Sequence, residues 1–342
     1  MSIKKAFLHA TYSCNADCLH CAVPKSDCMM PFDIFSKVVD IGAKEGLEYL
    51  IIGGGEPLTH PDIARMMAYG YNNGLKMKLE TNSRLLNRQL IDRLKGHLFQ
   101  LNTSLDGATA ETHDRIRRAP LFEKAKQAIR YAREQGIDVA VWTVIMKQNV
   151  SEIEAMFEVV QEIGVNKLSF LYATPVAEGY KNKDSLLVDP DEYYAIMKRI
   201  MEGKNANLQV RVAPYMIPFT KVREFNAENP TLNFEGMIYD KELAHITPKG
   251  DIYPCVLLLE NKRYLLGNID QEGVFENILR GDMLWQGVDA QLKQIKASAN
   301  NSGHSLTGCA GLCESYKSDI DPRFDIAVPV CPCRTITKEW QF

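Results

Sequence analysis

The sequence predicts an α/β fold: a partial (β/α)6 TIM-like barrel followed by a small C-terminal domain that carries cysteines. Short β-rich runs alternate with amphipathic helical stretches over about 200 residues, as expected for a barrel built from β–α units. This alternation stops after roughly Pro214, where a loop-rich stretch begins. Nine cysteines fall into two groups, one near each end of the chain. We therefore expect the barrel to span residues 1–235 and the second domain to span residues 236–342.

Six runs are predicted to be the parallel strands of the barrel. Several of them are apolar almost throughout, which is typical of parallel strands that are covered on both faces. In such a barrel, the residues that carry the chemistry lie at the carboxyl ends of the strands. The six runs are Lys5–Tyr12, Tyr49–Ile52, Lys76–Thr81, Gln100–Leu105, Asp138–Met146 and Lys167–Ala173.

Four amphipathic stretches between and after these runs are predicted to be helices. Pro31 opens the first at its first position. Ser151 and Glu154 form a capping box for another, which ends at Gly164. The acidic segment 189–192 begins a further helix. The predicted buried faces are Phe35, Val38, Val39 and Gly42; Phe122, Ala125, Ile129 and Ala132; Ile153, Met156, Phe157, Val160 and Ile163; and Tyr193, Ile196, Met197 and Ile200.

A β-hairpin is predicted after the barrel, between His245 and Cys255. Its turn, Lys249-Gly250-Asp251, lies between two flanks with β-type composition. We place the domain boundary ahead of this hairpin, near residue 235.

Composition and charge exclude several classes of protein. The 342 residues include 40 basic and 43 acidic side chains, a net charge of −3, without any run of like charge. Neither a nucleic-acid partner nor an anionic membrane is expected, because such proteins usually carry a basic surplus. The longest apolar stretches are too short to cross a bilayer, and His9 interrupts the N-terminal apolar run, so no signal peptide is predicted. We expect a cytoplasmic protein.

The first cysteine group follows the first predicted strand directly, as Cys14-x3-Cys18-x2-Cys21. In a reducing compartment, such clustered cysteines indicate thiolate ligands for a metal rather than disulfides. A cubane cluster with four irons that is held by three thiolates leaves one iron open to another ligand. The alternative is a structural zinc site that also uses His20. Adjacent His20 and Cys21 rarely point at one metal, which disfavours zinc.

Four further motifs follow later strands. Gly53–Pro57 (Gly-Gly-Gly-Glu-Pro) comes after the second strand and Thr81–Ser83 after the third. Ser104–Gly107 (Ser-Leu-Asp-Gly) comes after the fourth, and His113–Arg117 lies just downstream. Together with the cysteines at 14, 18 and 21, these motifs resemble, in the same order, those of radical S-adenosylmethionine (radical SAM) enzymes. Ser83 departs from the usual Thr-Asn-Gly pattern.

The resemblance implies a SAM site at the carboxyl edge of the sheet, beside a [4Fe–4S] cluster held by Cys14, Cys18 and Cys21. The Arg117 guanidinium could pair with the methionine carboxylate of SAM, or it could belong to an exposed helical ion-pair face. The segment 172–179, with Pro175, resembles the strand end that closes the adenine side. The implied cofactor-binding residues are Gly54, Gly55, Glu56, Pro57, Asn82, Ser104, Asp106 and Arg117.

The second cysteine group resembles a SPASM or twitch auxiliary-cluster domain. The hairpin that leads to Cys255 and the later spacing Cys309-x3-Cys313 match that pattern. Glu272, Asn300 and Gly303 stand where a full SPASM domain has further cysteines. Five thiols cannot fill two four-ligand clusters. The resemblance therefore implies one auxiliary [4Fe–4S] cluster, with a zinc ribbon as the alternative. Its expected ligands are Cys255, Cys309, Cys313 and either Cys331 or Cys333.

The activity that the resemblance implies is reductive cleavage of SAM to a 5′-deoxyadenosyl radical, which abstracts a hydrogen from the substrate. A flavodoxin or ferredoxin would supply the electron. Cys28 or Cys333 could act as a hydrogen-donor thiol, and no chemistry is assigned to His9, His60 or His97.

The preferred substrate is a ribosomally made peptide, which the enzyme cross-links, oxidises or epimerises. Only 13 residues precede Cys14, so we expect either that a separate leader-binding protein presents that peptide or that the substrate is small. The alternative substrate is a small molecule: an aminocyclitol, a sugar or a haem precursor. A further alternative is that the chain is a non-catalytic iron–sulfur or zinc protein. The motifs at 53–57 and 104–107 would then have no role.

Overall fold

The computed structural model describes residues 3–174, 177–203, 208–212, 243–256, 259–262 and 265–281. Within these residues, ten strands form one sheet in the order β10-β9-β8-β1-β2-β3-β4-β5-β6-β7. The strands are β1 (Lys5–Thr11), β2 (Tyr49–Gly54), β3 (Lys76–Thr81), β4 (Gln100–Ser104), β5 (Val139–Ile145), β6 (Lys167–Tyr172), β7 (Gln209–Val212), β8 (Leu243–Ile246), β9 (Asp251–Tyr253) and β10 (Gly267–Asn268).

The six predicted strands are confirmed as β1 to β6. Each pairs in parallel with the next, so their carboxyl ends meet at one edge of the sheet. A seventh parallel strand, β7, extends the sheet beyond β6 and was not predicted. It is only four residues long, and Val212 alone is buried, so its sequence carries little of the apolar signal that marks the others.

The predicted hairpin is confirmed as β8 and β9, which pair in an antiparallel register. Its turn is closed by a hydrogen bond from Gly250 N–H to Thr247 O (2.9 Å), and Gly250 adopts a φ of +83° that favours glycine. The sequence did not indicate where the hairpin docks: β8 pairs in parallel with β1. The hairpin thus continues the barrel sheet past its first strand. The boundary near residue 235 lies outside the described residues and stays a prediction.

Helices cover the side of the sheet that carries the apolar core. The four predicted helices are confirmed as α1, α5, α6 and α9. All residues of their predicted apolar faces are buried, including Gly42 of α1. The helices are α1 (Phe32–Lys44), α2 (Ile63–Asn72), α3 (Arg88–Leu94), α4 (Ala110–Arg117), α5 (Phe122–Glu134), α6 (Ile153–Glu162), α7 (Ala177–Lys181), α8 (Lys183–Leu186), α9 (Pro190–Gly203) and α10 (Val274–Arg280).

The predicted capping box of α6 is wrong. Ser151 lies inside a 3-10 turn, Val150–Glu152, and the N-cap residue Glu152 makes no side-chain capping bond to its own helix. The Glu152 carboxylate instead accepts hydrogen bonds from the N–H groups of Ala108 (2.7 Å) and Thr109 (3.3 Å), the two residues that precede α4. Glu154 pairs with Arg199 of α9 (2.7 Å). Tertiary partners therefore replaced the local cap that the sequence spacing indicated.

The two faces of the sheet differ in character. Leu8, Leu50 and Leu79 are 0% exposed and belong to the core under the helices. The alternate positions face the other way. We call this second face the inner face; it carries Phe7, His9, Lys78, Glu80, Gln100, Asn102, Ser104 and Trp142. The expectation of strands that are apolar on both faces therefore holds for one face only.

The position of Glu152 predicts a stability difference between two neighbouring glutamates. Glu152→Ala removes the acceptor of the Ala108 and Thr109 N–H groups, which lead into α4, and we expect it to destabilise the fold by about 1–3 kcal/mol. Glu154→Ala breaks only an exposed pair and is expected to cost less than about 1 kcal/mol. Thermal unfolding followed by circular dichroism compares the two variants. Equal losses would contradict the assigned role of Glu152.

Candidate active site

Three thiols lie in the loop that follows β1, at the carboxyl edge of the sheet. Cys18 is buried, Cys14 and Cys21 are partly buried, and the N–H of Cys21 donates to Cys18 O (3.3 Å). The thiols are close enough to influence one another, because the charge of Cys18 acts on both of the others. Burial raises the pKa of Cys14 to about 11 and raises that of Cys21. These thiols therefore stay protonated until a metal displaces the proton.

Two glycines at the end of β2 hold the start of this loop. The N–H of Gly55 donates to Thr11 O (2.7 Å), and the next N–H along the chain donates to Ser13 O (2.9 Å). A Cβ on Gly55 would overlap Ser13 O, and Gly54 has a φ of +116° with Thr11 O where its Cβ would be. From the sequence, these glycines are expected to allow a ligand close to the backbone. The structure shows that they allow the cysteine loop itself to approach.

Glu56 joins the loops that follow β2 and β3. Its buried carboxylate accepts hydrogen bonds from Leu58 N–H (3.1 Å), Thr81 Oγ1 (2.7 Å) and Asn82 N–H (2.8 Å). Burial raises the pKa of Glu56, and the hydrogen bonds from Thr81 and Asn82 oppose that rise. Pro57 occupies the first position of the 3-10 turn Pro57–Thr59. Direct contact of these residues with SAM stays a prediction.

Asn82 connects this arrangement to the first cysteine. Its Nδ2 donates to Asn15 Oδ1 (2.8 Å) and lies 3.9 Å from Cys14 Sγ. Ser83 adopts a left-handed φ of 64°, a conformation that explains why glycine is usual there. Its hydroxyl is hydrogen-bonded to Thr103 Oγ1, which gives the serine a partner that glycine lacks.

Asp106 and Arg117 form a buried ion pair beside the second cysteine. Arg117 Nε lies 2.5 Å from Asp106 Oδ2, and Arg117 Nη1 lies 3.7 Å from Cys18 Sγ. Val144 N–H donates to Asp106 Oδ1 (2.9 Å). Burial by itself would raise the pKa of Asp106, but Arg117 and His20 hold it below its usual value. Arg117 is thus not part of an exposed ion-pair face: it is 8% exposed and presents a cation to a cysteine sulfur.

Two imidazoles complete the surroundings of this ion pair. His20 Nε2 lies 3.7 Å from Asp106 Oδ2, and His113 Nδ1 accepts a hydrogen bond from Asp106 N–H (2.9 Å). Burial lowers the pKa of each imidazole to about 4, so both are neutral at neutral pH. Among the described residues, no group of three or more His, Cys, Asp or Glu side chains is placed to hold one metal ion, which disfavours the zinc site expected from Cys14, Cys18, Cys21 and His20.

The far side of the cysteine loop is held by the segment after β6. The N–H groups of Glu178 (3.1 Å) and Gly179 (3.4 Å) donate to Cys21 O, and Asn182 Nδ2 donates to Leu19 O (3.0 Å). Glu178 and Gly179, at the end of the segment 172–179, thus lie beside the cysteine loop. Pro175 is outside the described residues, so its predicted role at the adenine side stays a prediction.

The remaining cysteines are only partly described. Cys28 O accepts hydrogen bonds from Tyr12 N–H (2.9 Å) and Thr11 Oγ1 (3.1 Å), where the loop returns to β1. Cys255 is buried just after β9, beside Tyr253. Cys309, Cys313, Cys331 and Cys333 lie outside the described residues. The auxiliary-cluster ligands and the donor-thiol roles of Cys28 and Cys333 stay predictions.

The residues around the cysteine loop fit an iron–sulfur cluster with a polar co-ligand. Cys14 and Cys18 each have a nitrogen donor near the sulfur, an arrangement that tunes thiolate-bound clusters. Nearby, Asn15 Nδ2, His20 Nδ1 and His113 Nε2 are buried without a hydrogen-bond partner among the described residues. Within the same residues, no group of three or more His, Cys, Asp or Glu side chains is placed around a single metal ion.

The sequence did not indicate one hydrogen-bonded pair near this site, Glu80 and Asn102. On the inner face, Asn102 Nδ2 of β4 donates to Glu80 Oε1 of β3 (3.3 Å). Glu80 lies two residues before Asn82, which follows β3. Burial raises the pKa of Glu80 to about 7. The hydrogen bond from Asn102 and the charge of Lys78 lower this pKa, but by less than burial raises it. No motif marks these residues. The only signal was an acidic side chain inside a strand that leads to a predicted SAM contact.

Comparisons with known proteins identify the architecture. A model of the radical SAM superfamily matches residues 8–160, and a model of the SPASM iron–sulfur cluster-binding domain matches residues 239–309. The AdoMet-dependent heme synthase of Methanosarcina barkeri is 28% identical over 90% of this chain and 87% of its own length. The mycofactocin maturase MftC of Mycobacterium tuberculosis is 24% identical over 90% of this chain and 77% of its own.

Solved structures confirm the fold. Streptococcus suis SuiB bound to the precursor peptide SuiA has a TM-score of 0.69 at 17% identity, over 84% of this chain and 66% of that chain. The structure of anSMEcpe with bound AdoMet has a TM-score of 0.64 at 19% identity, over 82% of both chains. At this level of identity the likeness concerns the fold alone.

The close approach at Gly55 predicts loss of the cluster in a minimal variant. Gly55→Ala places a methyl group on Ser13 O, and we expect it to displace the cysteine loop at a cost of roughly 3 kcal/mol. Gly96→Ala, at a glycine with open space around the Cβ position, is the matched control. Iron content and the absorbance of the purified protein measure the effect. Normal iron loading in Gly55→Ala would contradict the assigned role.

The raised pKa of Glu80 predicts a carboxyl group that titrates near neutrality. Isotope-edited infrared spectroscopy should show a carboxylate band that appears near pH 7 and is absent in Glu80→Gln. The folded-state pKa lies above the usual value of 4.5, so Glu80 favours folding below about pH 4.5 and loses that contribution as the pH rises through about 7. Glu80→Gln should therefore gain stability relative to wild type at pH 8. A titration near pH 4.5 would contradict the prediction.

Proposed function

We propose that this chain, which belongs to the radical SAM superfamily and carries a C-terminal SPASM domain, is an enzyme that modifies a peptide through hydrogen abstraction. The observation that carries the proposal is the trio of cysteines at the carboxyl edge of the sheet, with Asn82 beside Cys14 and Arg117 beside Cys18. A radical SAM domain binds a [4Fe–4S] cluster and SAM, and a SPASM domain binds auxiliary iron–sulfur clusters. When bound, these groups supply the reducing electron and the radical that removes the hydrogen.

The chain's own residues would hold and orient those groups. Cys14, Cys18 and Cys21 would ligate the cluster, and the buried Arg117 would place a positive charge beside the Cys18 sulfur. Because Asp106 neutralises part of that charge, the guanidinium can be buried without remaining unpaired. We propose that SAM lies along the loops that follow β2, β3 and β4. Its expected contacts are Gly54, Gly55, Glu56, Pro57, Asn82, Ser104, Asp106 and Arg117.

The peptide substrate is supported by the relatives, several of which are named for peptide modification. They include the mycofactocin maturases and the PqqA peptide cyclase of Granulibacter bethesdensis, which is 22% identical over 72% of this chain. We propose cross-linking, oxidation or epimerisation of a peptide, with a flavodoxin or ferredoxin as electron donor. A separate leader-binding protein would present the peptide.

A second candidate substrate is a haem precursor. It is favoured by the match to the Methanosarcina barkeri heme synthase and by another to the Fe-coproporphyrin III synthase of the same organism, 29% identical over 50% of this chain. This candidate keeps the same first cluster and the same SAM site. It differs in the ligand that the inner face of the sheet would have to accept.

The cysteine chemistry supports a reducing location for the enzyme. Among the described residues, no helix is long and apolar enough to cross a membrane. We propose a cytoplasmic location, because thiolates that ligate clusters persist in a reducing compartment.

The test of the proposed function is SAM cleavage by anaerobically reconstituted protein. We expect about eight irons per chain and dithionite-driven formation of 5′-deoxyadenosine, with cleavage reduced below detection in Cys18→Ala. Ser26→Ala, an exposed residue of the same loop, is the matched control and should cleave SAM like wild type. About four irons with activity would overturn the auxiliary cluster. Zinc without iron, and no cleavage, would overturn the proposal.

A further inference from the structure

The inner face of the sheet carries polar side chains that the SAM site does not use. Glu80 of β3 and Asn102 of β4 are register partners, and their side chains are joined by the 3.3 Å hydrogen bond. Glu80 precedes Asn82 by two residues, which is roughly 7 Å along a strand. Because Asn82 lies 3.9 Å from Cys14 Sγ, the pair is about two residues along the sheet from a predicted cluster ligand.

Unsatisfied hydrogen-bonding groups surround this pair. Asn102 Oδ1, Trp142 Nε1 and His9 Nδ1 are buried and have no hydrogen-bond partner among the described residues. His9 is 0% and Asn102 is 5% exposed, so each would leave a polar atom buried at a cost unless a ligand or water met it. Trp142 can only donate, whereas Asn102 Oδ1 can only accept. The inner face therefore offers an acceptor for the N–H group of an amide and a donor for its carbonyl oxygen.

Aromatic rings cover the neighbouring part of the inner face. The Phe7 ring stacks on His245 with centroids 5.2 Å apart and lies 4.8 Å from the His9 ring. Gly53 of β2 lies between β1 and Glu80. Because Gly53 has no side chain, the Phe7 ring occupies the space where a Cβ of residue 53 would be. A ligand group on this side would contact rings, and a group on the Glu80 side would contact hydrogen-bonding atoms.

We infer that Glu80, Asn102 and Trp142 form a substrate subsite that takes an N–H donor and its carbonyl, as in a peptide amide, beside an apolar or aromatic group. The inference rests on the proposed function and specifies its substrate class. Glu80 and Asn102 Oδ1 accept from the donor, and Trp142 Nε1 donates to the carbonyl. The rings of Phe7 and His9 pack against the apolar group.

In titrations at pH 8, above its pKa of about 7, Glu80 is ionised, and its charge separates the two candidate substrates. An N–H donor loses a charge-assisted hydrogen bond when Glu80 becomes glutamine, so its binding weakens. A polycarboxylate is repelled by Glu80, so the same substitution strengthens its binding. Lys78, two residues earlier on the same face, is the cation whose charge acts on Glu80. The sign of the change, rather than its size, therefore identifies the ligand class.

The test is calorimetric titration of the SAM-loaded holoenzyme with two probes, N-acetyl-L-tyrosinamide and coproporphyrin III. We expect the amide to bind wild type about tenfold more tightly than Glu80→Gln, and more tightly than Asn102→Ala. Glu48→Gln, an exposed glutamate paired with Lys4 (3.4 Å), is the matched control and should bind the amide like wild type. Cluster absorbance confirms that each variant is folded and loaded.

The results that would contradict the subsite differ from the result that would contradict the proposed function. An amide that does not bind wild type, or binds Glu80→Gln equally well, would overturn the subsite. Coproporphyrin III that binds more tightly to Glu80→Gln than to wild type would also overturn it, in favour of a carboxylate ligand. Wild-type protein that shows Glu80-dependent amide binding but forms no 5′-deoxyadenosine would overturn the proposed function and leave the subsite standing.

Discussion

The site depends on one backbone contact, between the glycines that end β2 and the first residues of the cysteine loop. Gly54 and Gly55 bring their backbone onto Thr11 and Ser13, and no side chain fits between them. The loop leaves β1 in a direction that this contact fixes, so the three thiols reach the edge of the sheet together. The carboxylate of Glu56 extends the same arrangement to β3, because it accepts hydrogen bonds from both loops.

Electrostatics then shape the surroundings of the cysteines. A buried guanidinium requires a counter-charge, and Asp106 supplies it to Arg117 while both remain inside the fold. Burial keeps the neighbouring imidazoles of His20 and His113 neutral. Of these three side chains, only Arg117 is therefore a cation. The result is a guanidinium that is paired with Asp106 and lies beside the Cys18 sulfur, in a place where a thiolate-bound cluster would carry negative charge.

The sheet serves stability and chemistry on opposite faces. Leu8, Leu50 and Leu79 pack beneath the helices, where burial of apolar surface drives folding. The inner face is free of that task, and it carries Glu80, Asn102 and Trp142 instead. Neutral polar groups that are buried but unsatisfied are tolerated in folded proteins mainly where a ligand or water meets them. The division explains why polar residues occur inside otherwise apolar parallel strands.

The sequence by itself determined the six β–α units, the first cysteine motif and the order of the later motifs, because apolar periodicity and short spacings are local properties. It could not indicate that β8 would pair with β1, or that Glu152 would bind the residues before α4 rather than cap its own helix, since those partners are more than 40 residues away. It also left Arg117 between two interpretations, and burial against Asp106 decided between them. Glu80 was missed for the same reason: its neighbours come from other strands, and only the folded sheet brings them together.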